Sequence, residues 1–327
     1  MSAKSVLFLG GTGVISSAAV ALAADRGWDV TVVNRGRSSE RPAPAGIETL
    51  AADIRDPDAL NAAIGDRSFD VVTDFLSFTP DQLHLDTFRD RTGQYVYISS
   101  ASAYQTPPSR LPVTESTPLR NPFWEYSRNK IACEDALVAE YRATGYPITI
   151  VRPSHTYDRT SLPTLGGWTD IDRMRRGAPV VVHGDGSSLW TLTHTRDFAV
   201  GFVGLFGHPA ALGDTFHITG DEAPTWDQIY RALGTAAGVE PVLAHVTSDA
   251  IAAASPQLGP GLLGDKSHSM VFDNSKLKAL VPDFGQGTLF AEGAQEIVDW
   301  YDADASRQVV DPELDALFGR LAEEHRA

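Results

Sequence analysis

Ser100, Tyr126 and Lys130 are the residues of this 327-residue chain whose types and spacing carry chemistry. Tyr126 and Lys130 lie four apart, a spacing that puts both on one face of a helix. An ammonium beside a phenol favours the phenolate, which turns a weak acid into a usable base. Exposed helix pairs share that spacing, so its meaning rests on context. Upstream, Gly10-Gly11-Thr12-Gly13 is a glycine turn that lets the backbone approach a pyrophosphate at a helix N-terminus, although the same residues also suit a simple turn. Together the two features read as an alcohol-oxidising site beside a dinucleotide.

Such a site needs strands that end at it. Val6 to Leu9 is a continuous apolar run ending in Gly10, Ser17 to Arg26 is alanine-rich with helical character, and Val30 to Val33 resumes strand character. The alternation continues with strands predicted at 47–51, 71–75, 94–99 and 147–151 and helices at 56–64 and 81–89. Strands apolar on both faces, alternating with helices, predict a parallel sheet covered on both sides, with ligands beyond its carboxyl ends. The fold class is therefore α/β, a doubly wound Rossmann-type parallel sheet with a smaller, interleaved C-terminal substrate lobe. Residues 1–160 are expected to form the dinucleotide-binding domain, with later returns near 179–219, and 161–327 mainly the substrate lobe.

Composition narrows the function classes. The net charge of −15 repels a phosphate backbone, and no basic, aromatic-interleaved patch offsets it, so nucleic acid is not an expected partner. The lone cysteine, Cys133, has no internal disulfide partner and no cluster with zinc spacing around it, which fits a reducing compartment and helix packing. No metal is expected. The first apolar run is too short for a signal peptide or a membrane span, so the expectation is a cytoplasmic chain with no membrane partner.

The combination of Gly10 to Ile15, Asp53-Ile54, Ile98 to Tyr104, Tyr126 to Lys130, Arg152-Pro153 and His194 to Asp197 resembles the extended or atypical short-chain dehydrogenases/reductases, specifically the NAD-dependent epimerase/dehydratase family. Asn34 to Arg37, His183 to Gly186 and Phe216 to Gly220 look most like the subgroup that includes chloroplast stem-loop-binding proteins. The resemblance implies that Tyr126 is the acid/base, that Lys130 lowers its pKa and binds the nicotinamide ribose, and that Ser100 holds the same substrate oxygen. It implies cofactor contacts at Gly10, Thr12, Gly13, Val14, Ile15, Asn34, Arg35, Asp53, Ile54, Leu76, Lys130, Pro153 and His155; His155 also suits a packing role. Ser16 stands where the third glycine is expected, and its hydroxymethyl is expected to crowd the helix against the sheet or to shift its first turn.

Asn34 and Arg35 follow the second strand, where an acidic residue selects NAD and a basic one accommodates a 2′-phosphate. NADP is therefore favoured, with NAD possible; Arg35 and Arg37 in a solvated loop is the other reading. Asp53 is read as an adenine contact or as a helix cap, a role for which Asp56 also qualifies.

Dehydratases of the family carry an acidic pair directly after the catalytic Ser or Thr, where this chain has Ala101 and Ser102, so elimination of water is not expected. Nucleotide-sugar enzymes of the family place an arginine four residues after an Asp-Gly pair. Counting from Asp185-Gly186 gives Trp190, which stacks on a ring or packs in the core but cannot neutralise a phosphate. Trp168, in a glycine-flanked loop, and Arg173, on the following helix, are further substrate candidates, although arginines there also suit a solvated face. The expected function is NAD(P)-dependent oxidation, reduction or epimerisation of a secondary alcohol or ketone carbon on a sugar-like or polyhydroxy small molecule. A non-catalytic dinucleotide-sensing or RNA-binding relative of the same fold is the alternative. A homodimer is possible, since sheet-flanking helices pair in many members.

Overall fold

The computed structural model describes residues 4–36, 41–285 and 287–325. The strands are β1 (Ser5–Leu9), β2 (Asp29–Asn34), β3 (Glu48–Ala51), β4 (Val71–Asp74), β5 (Tyr95–Ile98), β6 (Ile148–Pro153), β7 (His155–Tyr157), β8 (Val180–His183), β9 (Leu192–His194), β10 (Asp214–Ile218) and β11 (Leu243–Val246). Seven of them form one sheet in the order β10-β6-β5-β4-β1-β2-β3, with every pair parallel. The order reverses direction at β1, whose Val6 pairs with Val30 of β2 on one side and Val71 of β4 on the other. A crevice for a ligand is expected at that switch point.

Alternation along β1 explains the two cores. Val6 and Phe8 face a layer with α1 (Val14–Asp25), where Val20 packs with Val32, Phe198 and Phe202. Leu7 and Leu9 face the opposite layer, with α2 (Pro57–Ile64), a short α3 (Leu85–Phe88) and α4 (Glu125–Thr144) contributing Leu60, Phe88, Cys133 and Leu137. Cys133 is fully buried in that layer, as a packing residue is.

The helix predicted over 81–89 is broken into a 3-10 turn at Pro80–Gln82 and the four residues of α3. Gln82 is tied back to the preceding loop: its carbonyl accepts from Ser77 Oγ at 2.7 Å and its side chain from Phe78 N at 2.9 Å. Those bonds compete with helical pairing, and Asp90 at φ 60° ends the segment.

From residue 168 onward the helices are α5 (Trp168–Arg175), α6 (Thr195–Gly204), α7 (Trp226–Ala236), α8 (Ser248–Ala254), α9 (Gly259–Gly261), α10 (Ser275–Leu280), α11 (Phe290–Asp302) and α12 (Pro312–Glu324). Of these, α6 returns to cover the large sheet against α1, and β10 extends that sheet beside β6. β8, expected among the returns to the first domain, instead pairs with β11 in a separate two-stranded sheet. Its apolar Val180-Val181-Val182 fits either sheet by composition; burial against Trp226 and Ile229 on one face and Phe318 and Leu321 on the other decides for the lobe.

Candidate active site

Ser100 sits just past the carboxyl end of β5 and caps a 3-10 turn at Ala101–Ala103, its Oγ accepting from Ser102 N at 3.1 Å. Tyr126 and Lys130 lie in the first two turns of α4, which runs beside the end of that strand. The Tyr126 ring packs on Trp124 (centroids 4.9 Å apart) and Phe78 (6.1 Å). Burial raises the phenol above its ordinary pKa, the Ser100 hydroxyl bonded to it lowers it, and the carboxylate of Asp265 raises it again.

Lys130 is buried, and its ammonium donates to the carbonyls of Ser77 (2.9 Å) and Ile98 (2.8 Å), 5.9 Å from the Tyr126 ring centroid. Burial pushes its pKa down to about 8. The spacing predicts an ammonium that favours the phenolate; here that charge is absorbed by two carbonyls, and burial dominates the phenol.

A chain of hydroxyls orders Ser100. Ser127 Oγ donates to Ser102 Oγ at 2.8 Å, and Ser102 Oγ lies 2.8 Å from Ser100 Oγ. Either hydroxyl of the Ser100–Ser102 pair can be the donor, and the contact keeps both satisfied, since a buried donor without an acceptor is costly. Ser100 is thus tied to Ser102 twice, accepting from its backbone amide and sharing a bond with its hydroxyl, which fixes the Ser100 Oγ at the cavity wall.

That cavity, about 370 Å³, is lined by Ser100, Tyr126, Lys130, Pro153, His155 and Trp190, with Trp124, Asp265, Lys266, Met270 and Phe272 from farther along the chain. An adjoining trough of about 480 Å³ shares Ile15, Phe75 and Phe78 with it and runs past Gly10, Thr12, Gly13, Asn34, Arg35, Asp53, Ile54 and Leu76. Val14, the first residue of α1, lines neither space.

The trough fits a dinucleotide. Gly10 is at φ 88° and a Cβ there would lie 2.7 Å from Leu76 Cγ, so only glycine leaves the floor open. The start of α1 brings first-turn amides, which have no intrahelical acceptor, to the trough edge. Ser16, at the position expected to crowd or shift the first turn, is buried, and its Oγ accepts from Gly13 N at 2.9 Å, capping the turn from inside.

Asn34 Oδ1 accepts from Gly36 N at 2.7 Å, which shapes the loop carrying Arg35. Arg37 lies outside the described residues. Asp53 does not cap α2; Asp56 does, accepting from Asp58 N and Ala59 N. Instead the Asp53 carboxylate pairs with the Arg55 guanidinium at 3.0 and 3.1 Å, which holds its pKa down at about 2.

Two substrate candidates fall elsewhere. Trp168 is buried in the lobe core, stacked on Tyr301 with centroids 4.8 Å apart. Arg173 is buried as well and pairs with Asp315 while donating to the Pro179 carbonyl at 2.8 Å. Both residues stabilise the lobe, and neither lines the cavity.

Trp190 does line it, with its indole N–H donated to His155 Nδ1 at 3.1 Å. That bond requires an unprotonated Nδ1, and burial pushes the His155 pKa down to about 3, so the ring is neutral. Trp124, Asp265 and Lys266 escaped the sequence reading. Asp265 and Lys266 sit in a π-helical turn, Leu262–Lys266, and no local periodicity in Gly259-Pro260-Gly261-Leu262-Leu263-Gly264 announces that this turn faces α4.

A doubly wound sheet with a glycine turn at its switch point defines a Rossmann-type dinucleotide-binding fold of the short-chain dehydrogenase/reductase kind. The chain belongs to the NAD dependent epimerase/dehydratase family, whose model matches residues 6–219. It is 26% identical over 259 residues to the chloroplast stem-loop binding protein of 41 kDa b of Arabidopsis thaliana, covering 75% of this chain and 66% of that one. It is 28% identical over 243 residues to 2′-dehydrokanamycin reductase of Streptomyces kanamyceticus, covering 71% and 66%. The matches thus span just under two thirds of those relatives' lengths. Among solved structures, the UDP-glucose 4-epimerase of Bifidobacterium longum in complex with NAD+ and UDP superposes with a TM-score of 0.73 at 19% identity, over 93% of this chain and 100% of that one. No helix among the described residues is long and apolar enough to cross a membrane.

Proposed function

We propose that this protein is an NADP-preferring oxidoreductase or epimerase that acts on a secondary alcohol or ketone carbon of a sugar-like or other polyhydroxy small molecule. The observation that carries this reading is that Tyr126, Ser100 and Lys130 line one cavity, which adjoins the dinucleotide trough and shares Ile15, Phe75 and Phe78 with it. Two of the matched relatives, 2′-dehydrokanamycin reductase and a UDP-glucose 4-epimerase of Lactobacillus helveticus, bear names of this class.

Bound nicotinamide supplies the redox chemistry at carbon. The chain's own residues handle the oxygen. Tyr126 exchanges a proton with the substrate hydroxyl or carbonyl, and Ser100, positioned by Ser102, holds that oxygen in place. Lys130 ties the loop after β4 to the end of β5 by binding the carbonyls of Ser77 and Ile98. Pro153 and His155 close the cavity beside the trough.

Elimination of water is not part of the proposal. Ala101 is buried, Ser102 is hydrogen-bonded to Ser100, and neither offers a carboxylate. Incubation with NADPH and a panel of neutral hydroxyketones, followed by mass spectrometry, is expected to give products two hydrogens heavier. Epimerisation gives unchanged mass with an inverted centre, and a product lighter by one water contradicts the proposal.

Arg35 carries the cofactor preference: it is exposed at the trough, whereas Arg55 is engaged by Asp53. Arg35→Ala is expected to weaken NADPH binding about 10–100-fold, the scale of a lost charge-assisted contact, while NADH binding changes less than about threefold. Fluorescence titration of both dinucleotides measures this, and equal losses would show that Arg35 does not read the 2′-phosphate. A small-molecule substrate, a cytoplasmic setting, a homodimer and the lack of a nucleic-acid partner complete the reading. If no alcohol is turned over by dinucleotide-loaded protein, the sensing role replaces it.

A further inference from the structure

We propose that Asp265 and Lys266 form a substrate subsite that takes two adjacent hydroxyls of a neutral ring polyol, with the apolar face of the ring against Trp124 and Trp190. This rests on the reading of the cavity as an alcohol site and names the substrate class it takes.

The π-helical turn Leu262–Lys266 is held rigidly. The Lys266 carbonyl accepts from Trp226 Nε1 at 3.2 Å and lies 2.9 Å from His183 Nε2, and Asn121 Nδ2 donates to the Gly264 carbonyl. Two anchors on one carbonyl fix where the neighbouring side chains emerge, a recurring use of π distortions at ligand sites. Asp265 and Lys266 both line the cavity.

Among the described residues no hydrogen bond reaches the Asp265 carboxylate; its near neighbour is the Lys266 ammonium at 4.0 Å. Burial raises this carboxyl to about 6, which marks a group that gains from new donors. Lys266 Nζ lies 5.9 Å from the ring centroids of both Trp124 and Trp190.

Charge balance identifies the ligand. Lys266 is offset by Asp265, Lys130 is held by two carbonyls with the Asp74 carboxylate acting on its charge, and His155 is neutral, so each cation among the lining residues already has partners before a phosphate or carboxylate arrives. An adjacent acceptor and donor suit a vicinal diol: the carboxylate accepts one O–H, and the ammonium donates to the neighbouring oxygen. The indoles supply the apolar platform for a ring.

The test uses calorimetry on NADPH-loaded protein with trans-1,2-cyclohexanediol, cyclohexanol, cyclohexanecarboxylate and cyclohexylammonium as probes. The diol is expected to bind about tenfold more tightly than cyclohexanol, the scale of a hydrogen bond to a charged group. Asp265→Leu and Lys266→Met are each expected to bring the diol within about threefold of cyclohexanol while NADPH affinity holds, which confirms the fold. The proposal is overturned by equal binding of diol and mono-alcohol to the wild type, by a diol preference that survives both substitutions, or by tighter binding of either charged probe. If the diol preference behaves as expected but Tyr126→Phe leaves turnover intact, the subsite stands and the alcohol-redox reading falls.

Discussion

Tyr126→Phe is expected to lower turnover about 10³-fold while leaving dinucleotide affinity within about threefold, since positioned acid/base catalysis contributes about 10²–10⁴-fold. The substitution keeps the ring, so packing on Trp124 and Phe78 survives and the cavity keeps its shape. What disappears is the hydroxyl to which the proposed function assigns proton exchange with the substrate oxygen. Ser100 remains ordered by Ser102 and still binds that oxygen, so the loss falls on kcat more than on KM. Steady-state kinetics beside a dinucleotide titration separates the two effects. A fall of less than about tenfold would move the proton-transfer role off Tyr126.

The largest expected effect on stability comes from behind the site. Arg152, at the end of β6, is buried against Glu134 of α4, with Nε 2.9 Å from Oε1, and Ser99 Oγ donates to the same carboxylate. The guanidinium also lies 4.8 Å from the Tyr104 ring centroid, and Tyr104 in turn meets His217 of β10 at 3.1 Å. Arg152→Met leaves a buried carboxylate without its cation and is expected to cost about 3–5 kcal/mol. That is a large share of a typical folding free energy of about 5–15 kcal/mol. Arg152→Met combined with Glu134→Met removes both charges and is expected to recover most of the loss. Chemical denaturation of the single and double variants measures it, and equal destabilisation of the two would show that packing, not charge pairing, is what Arg152 provides.

The central sheet was legible because Val6 to Leu9, Val71 to Val72 and Ile148 to Val151 are apolar on both faces, a pattern that parallel strands require. Ser100, Tyr126 and Lys130 converge because one strand end and one helix start carry them. Legibility failed where particular side-chain contacts, local or distant, decided. Gln82's bonds to Ser77 and Phe78 broke a helix that composition favoured. Trp168 and Arg173 suit a binding loop by residue type, yet Tyr301 and Asp315, more than a hundred residues away, hold them in the lobe core. Asp265 and Lys266 reach α4 across a similar separation, through anchors on backbone carbonyls that no side-chain pattern encodes.

The central claim is that the Tyr126 phenol is the group that exchanges a proton with the substrate. Oxidation of an alcohol needs the phenolate, and burial raises this phenol above its ordinary value, so kcat/KM for oxidation is expected to rise with pH and to be climbing still at about pH 9. Replacing Tyr126 with 3-fluorotyrosine keeps the shape and makes the phenol more acidic. The pH profile of oxidation in wild-type and fluorotyrosine protein is the decisive measurement: the account predicts that the alkaline limb moves to lower pH, and a limb that stays in place while turnover is retained would contradict it.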